Sequence, residues 1–496
     1  MFRHSSSFLR IALYALLVVS LASCSTSTAL PTSTNPASTQ TAVLLTSTPA
    51  PIATATLVPA PPRAQYQMNV VLDYAAKAVS VGETIIYPNH TGQPLNDLLL
   101  AVEPNLWQNC FALKGLVVNG VPIINYTLDG QKLSFDLTSP LAPESVAKIQ
   151  IQYSLVLPLL QQAHGVRPQI FGYSQLQMNL TDWYPFVVPF INNNWVLHQP
   201  GYYGEHLVYE ASDFVVNVKS ADPTVSPIIA SSGAPSQNGD WISYTLTAGR
   251  TFVLSASTDY KVASVQEGDI IVSSYYFPLN DIPGKATLMA SAQALQVYSQ
   301  RFGTPYPHKT LSIVMGDFND GMEFSGLFFM SRGAYNLYDG TVQNLLTTVS
   351  VHETAHQWWF EQVADDQALQ PWLDEAFAAY SEHIFYETAY PNSVSWWWSY
   401  WYPRVGGTES LPWVDISIYD AGGFIPYTNT VYLHGAHFLD DLRARIGDQV
   451  FFTFLHDYLV EENGKIAASA DFFRILRLHT QVDFSDLIKQ YFQNSY

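Results

Sequence analysis

The chain has 496 residues, 48% of them hydrophobic and only 13% charged, enough for two or three domains around large packed cores and too apolar for wholesale disorder or long coiled coils. A formal net charge of −19, with 22 lysines and arginines and no basic run, argues against nucleic-acid binding. The two cysteines, Cys24 and Cys110, exclude a disulfide framework as the source of stability.

Arg3, His4 and Arg10 flank the start of an apolar run from Ile11 to Val19 that is too short for a mature membrane span. Leu21-Ala22-Ser23-Cys24 follows. The pattern resembles a bacterial lipoprotein signal over residues 1–24, with Cys24 lipidated as the mature N-terminus; an ordinary cleaved signal is the alternative, and either places the protein outside the cytoplasm. Residues 25–65 are rich in Ser, Thr, Ala and Pro, with no charge before Arg63, and read as a flexible tether.

Residues 66–262 read as a β domain, an antiparallel saddle or sandwich. Val79–Tyr87, Leu133–Leu137, Lys148–Tyr153 and Phe214–Val218 are β-rich runs, several alternating apolar and polar residues, and Asn89-His90-Thr91-Gly92 is a turn. Asp182–Gly204 is aromatic and irregular; His198 and His206, in and just beyond it, read as surface or hydrogen-bonded residues rather than ligands. Residues 263–496 read as an α+β domain whose last part, 391–496, is mostly helical. Its expected elements are a helix at Lys285–Phe302, a buried strand at Leu311–Met315, a strand over Gly321–Met330, and helices at Leu345–Val363, Trp372–Tyr390, Val431–Ile446, Gln449–Leu459 and Ala470–His479. Trp396-Trp397-Trp398 reads as packing or a pocket wall.

The helix expected at Leu345–Val363 contains His352-Glu353-Thr354-Ala355-His356. Residues four apart share a helix face, so His352 and His356 aim two imidazoles at one ion. Glu375 lies on the next helix, with 18 residues between it and His356, and offers a carboxylate as third ligand. Two nitrogens, one oxygen and an open position suit a single catalytic Zn2+, and Glu353 is the natural base for an activated water.

These motifs resemble the aminopeptidase N family of gluzincin zinc metallopeptidases, whose catalytic domain is thermolysin-like. His352, Glu353 and His356 match its zinc helix, and Trp372-Leu373-Asp374-Glu375 matches its third-ligand helix. Gly321-Met322-Glu323-Phe324-Ser325-Gly326 resembles its exopeptidase strand, usually Gly-Ala-Met-Glu-Asn. Val431-Tyr432-Leu433-His434-Gly435-Ala436 resembles the segment with its catalytic tyrosine. The resemblance implies that Tyr432 stabilises the oxyanion, that Glu323 binds the substrate's free N-terminus, and that Gly321 and Met322 hold its backbone. Phe324 replaces the usual Asn, Asp374 and Ala376 the commoner Asn and Gly, and His434 the usual Lys. No counterpart is evident of the Gln and Arg that many relatives bring from the N-terminal domain, nor of the long helical-repeat domain of larger relatives.

The expected protein is therefore a zinc-dependent aminopeptidase acting on peptides, held at a bacterial membrane through Cys24 on the extracytoplasmic side. The alternatives are an endopeptidase or dipeptidase of the same chemistry, and a non-catalytic envelope lipoprotein that binds peptides.

Overall fold

Side chains of Ala64–Asp73 and Val146–Val156 alternate between buried and exposed, as expected for strands covered on one face. In the computed structural model, which describes residues 62–160, 169–401 and 413–496, these strands belong to an eight-stranded sheet. Its order is Ala234–Asn238, Trp241–Gly249, Ser212–Ser220, Ala64–Asp73, Ala78–Pro88, Val146–Val156, Phe111–Val118 and Val121–Pro122. All neighbours are antiparallel except Ala64–Asp73 and Ser212–Ser220, which run parallel. Two four-stranded sheets, built on Leu254–Ser257 and Leu95–Ala101, and a two-stranded one of Phe190–Ile191 and Asn194–Trp195 lie in the same part of the chain. The signal, Cys24 and nearly all of the tether lie outside the described residues. No described helix is long and apolar enough to cross a membrane.

The second part of the chain opens with a five-stranded mixed sheet in the order Lys261–Glu267, Ile270–Tyr276, Thr310–Met315, Leu327–Met330, Met322–Phe324. Its first strand begins two residues before the expected boundary at 262/263. Helix α1 (Asp281–Phe302) crosses between two of the parallel strands and ends at Gly303, whose φ of 73° suits glycine. Helices α2 (Leu345–Ala355), α3 (Trp372–Ala389), α4 (Gly435–Ile446), α5 (Asp448–Glu461) and α6 (Ser469–His479) follow. Gly435 brings α4 close to α3: a Cβ there would stand 2.5 Å from that of Ala376.

Two expected elements differ in ways that matter for the site. Gly321–Met330 is a tight hairpin rather than one strand, because Ser325 and Gly326 (φ 64°) turn the chain between Phe324 and Leu327. Helix α2 stops at Ala355 instead of running to Val363. His356 Nδ1 donates to the Trp359 carbonyl at 3.0 Å, and Phe360 takes a φ of 131°. The β domain holds that turn. Buried Arg250 donates from Nε to the Glu361 carbonyl at 3.1 Å, and from Nη2 to those of Gln362 at 3.2 Å and Lys465 at 2.8 Å. Phe360 packs into the β domain's core.

That core also contains Glu83, 2% exposed, whose carboxyl burial pushes well above the usual range. A carboxyl raised on folding stabilises the fold fully below its unfolded pKa, and that contribution is lost as pH rises toward the folded pKa. Glu83→Gln removes the ionisation. Denaturant unfolding at several pH values is expected to show the variant gaining on wild type by about 1.4 kcal/mol per pH unit between the ordinary carboxylate pKa and the raised folded one, and no further above it. A pH-independent difference would contradict this account of Glu83.

Candidate active site

Asn344 caps α2 by accepting the Thr347 N–H at 3.0 Å, and the last turn of the helix presents the metal motif to the interior. His352 and His356 are 8% and 1% exposed. Their Nε2 atoms stand 3.3 Å apart, and Glu375 Oε2, from the first turn of α3, lies 3.2 Å from one and 3.4 Å from the other. Ligands about 2.1 Å from a tetrahedral zinc ion stand about 3.4 Å from one another, so this donor set fits zinc without rearrangement. The opposite nitrogens are engaged. His352 Nδ1 donates to Glu382 Oε1 at 2.9 Å, Trp397 Nε1 donates to Glu382 Oε2 at 2.9 Å, and His356 is held by Trp359. Both imidazoles thus keep Nε2 for a metal.

The electrostatics point the same way. Burial lowers the His352 pKa, but the hydrogen bonds to Glu375 and Glu382 outweigh it and hold it at about 10. Burial opposes ionisation of Glu375, yet contacts with His352 and His356 hold its carboxyl far below the usual range. A divalent cation supplies the positive charge these groups stabilise. Asp365 and Asp374 are pushed up, first by burial and then by neighbouring acids.

The other expected site residues converge here. Gly321, Met322, Glu323, Glu353 and Tyr432 line, with the three metal donors, a cleft of about 230 Å3. Glu353 is 5% exposed, burial raises its carboxyl well above the usual range, and its Oε2 has no hydrogen-bond partner. A Cβ on Gly321 would come within 2.2 Å of Glu353 Oε1, so any larger residue there would displace the Glu353 carboxylate. Tyr432 lies in a π-helical turn, Asn429–His434, donates to Glu375 Oε1, and stacks on His352 with centroids 5.9 Å apart. Burial raises its phenol pKa, so it stays protonated. His198 and His206 bond to Asp366 and Glu103, away from the metal donors.

Sequence reading missed several residues. Glu382 lies two helical turns beyond Glu375, and that i,i+7 spacing was a usable signal. Trp397 orients Glu382. Tyr427, five positions before Tyr432, brings a buried phenol with no partner into the cleft. Glu205 reaches the cleft from the end of the irregular aromatic segment, where periodicity carries no information.

Residues 286–491 match the peptidase family M1 domain. The chain is 28% identical over 212 residues to Aminopeptidase M1-D of Oryza sativa subsp. japonica, covering 39% of this chain and 23% of that protein. It is 30% identical over 148 residues to Aminopeptidase N of Oryctolagus cuniculus, covering 28% and 15%. Against Aminopeptidase N of Lactobacillus delbrueckii subsp. lactis it is 26% identical over 221 residues, covering 41% and 26%. The matched segment thus spans about a quarter or less of these relatives' lengths. The fold resembles that of an M1 zinc metallopeptidase from Deinococcus radiodurans, with a TM-score of 0.65, 19% identity, and coverage of 88% of this chain and 94% of the other. A mutant of that metallopeptidase, solved with a Tyr-Ser-Ala substrate, superposes with a TM-score of 0.63 at 18% identity, covering 87% and 94%.

If Glu382 fixes the His352 tautomer, Glu382→Gln weakens zinc binding by about 10- to 100-fold in chelator competition, without unfolding the protein. Unchanged zinc affinity would remove Glu382 from that role.

Proposed function

We propose that this protein, whose residues 286–491 match the peptidase family M1 domain, is a zinc-dependent aminopeptidase that removes residues from the N-termini of peptides. The observation that carries the reading is that Glu323 lines the same cleft as the three metal donors, Glu353 and Tyr432. His352, His356 and Glu375 would hold the zinc ion. Zinc, when bound, polarises the scissile carbonyl and makes water nucleophilic near neutral pH.

The remaining steps belong to the protein's own groups. Glu353 accepts a proton from the attacking water and passes it to the leaving amine; its unpartnered Oε2 is free for that exchange. Tyr432 remains a phenol and donates to the developing oxyanion. Glu323 pairs with the substrate's α-ammonium and so places the first peptide bond over Glu353. Gly321 and Met322 lie along the cleft beside Glu353, where an extended substrate backbone would run.

We also propose that the enzyme is anchored through a lipid on Cys24 at the outer face of a bacterial membrane. The basic start, the short apolar run, Leu21-Ala22-Ser23-Cys24 and the uncharged stretch after it support this. Mass analysis of the membrane fraction is expected to find lipid on Cys24; a soluble protein without lipid would refute the anchor.

Glu353→Gln is expected to keep stoichiometric zinc and lower kcat by about 100- to 10,000-fold. Tyr432→Phe should lower kcat by about 100- to 1,000-fold with little change in KM. Acetylating the N-terminus of a reporter peptide is expected to abolish cleavage. Undiminished cleavage of the acetylated peptide would make the protein an endopeptidase of the same chemistry.

A further inference from the structure

The hairpin that carries Glu323 is fixed to the metal centre by two glutamines. Gln357, next to His356, accepts from the Gly326 N–H and donates to the Phe324 carbonyl, both at 3.0 Å. That grip sets the backbone of the hairpin against the end of α2. Gln367 acts on the carboxylate itself. Its Nε2 donates to Glu323 Oε1 at 3.1 Å and to Asp374 Oδ2 at 2.9 Å, and Asp374 Oδ1 accepts the Glu375 N–H at 2.6 Å. A single amide therefore links Glu323 to the backbone of the third metal ligand. Gln367 is 4% exposed.

Packing alone does not fix Glu323. It stands between two cavities, the cleft of about 230 Å3 that holds the metal donors and a second of about 240 Å3 lined also by Asp182, His206 and Gln367 itself. Released from Gln367, the Glu323 carboxylate has room to turn into the second cavity, away from the scissile bond. With Oε1 bound to Gln367, the carboxylate has a second oxygen with which to meet an ammonium.

We propose that Gln367 is a positioning residue that sets selectivity for a free N-terminal amine by fixing the Glu323 carboxylate. The inference rests on the aminopeptidase reading and names what enforces it. Losing a hydrogen bond to a buried charge corresponds to about tenfold or more in binding.

The test compares Gln367→Met and Gln367→Glu, each in the wild-type and Glu323→Gln backgrounds, using full-length zinc-loaded protein. The readouts are zinc content, kcat and KM for a free aminoacyl reporter, and the ratio of kcat/KM for free over N-acetylated substrate. Both substitutions are expected to keep stoichiometric zinc, raise KM for the free substrate about tenfold or more, and change kcat less than about threefold. The selectivity ratio should fall about tenfold. In the Glu323→Gln background neither substitution should change that ratio more than about twofold, because the group through which Gln367 acts is already gone. An intact ratio in the Gln367 variants, where Glu323→Gln collapses it, would overturn the inference and leave the aminopeptidase reading standing. An equal fall in both backgrounds would also overturn it. Zinc loss in both variants would assign the bridge to the metal site through Asp374. An intact ratio in Glu323→Gln alone would refute Glu323 as the amine anchor, and this inference with it.

Discussion

Six carboxylates, Glu323, Glu353, Asp365, Asp374, Glu375 and Glu382, are buried around two imidazoles, none more than 5% exposed. Removing that much like charge from water is costly unless protons, hydrogen-bond donors or a cation compensate it. The site uses each device in a different place. Glu375 meets both imidazoles, Glu382 meets His352 and Trp397, Glu323 and Asp374 share the Gln367 amide, and burial pushes up the carboxyls of Glu353, Asp365 and Asp374, which a bound cation would counter at Glu353, leaving it ionised as the base. A divalent cation held by His352, His356 and Glu375 would supply the positive charge that balances the cluster.

The fold serves this cluster from both halves of the chain. Helices α2 and α3 supply the donors, and the edge hairpin of the mixed sheet brings Glu323 to them. The β domain closes the arrangement with Arg250, whose guanidinium caps carbonyls in the turn behind His356. Ser325, in the turn of the Glu323 hairpin, accepts the Arg250 and Thr251 N–H groups at 2.7 and 2.9 Å and donates to Glu361. The two domains therefore meet at the backbone on either side of the cleft, and Gly204 and Glu205 form part of its wall.

Much of this was legible in the sequence because it is local. The i,i+4 histidines, the 18-residue gap to Glu375 and the alternating strands each rest on a period or a spacing. The helix with the metal motif is shorter than its sequence suggests because the apolar pattern continues through Trp358, Trp359 and Val363, which are buried in the turn after it rather than on a helix face. The hairpin looks like one strand in the sequence because both arms are apolar and buried; only Ser325-Gly326 marks the reversal. Arg250, Gln367 and Glu205 carry no periodic signature. Their partners are set by tertiary structure, as with Gln367 and Glu323, 44 positions apart.

The central claim is that His352, His356 and Glu375 meet on one zinc ion. A crystal of the purified protein measured above and below the zinc absorption edge tests it most directly. The account predicts one anomalous peak per chain, within bonding distance of His352 Nε2, His356 Nε2 and Glu375 Oε2 and lost on chelation. A peak instead among Glu323, His356 and Asp374, a second buried group whose ligand atoms lie within 4.8 Å of one another, or no peak in zinc-supplemented protein, would contradict it.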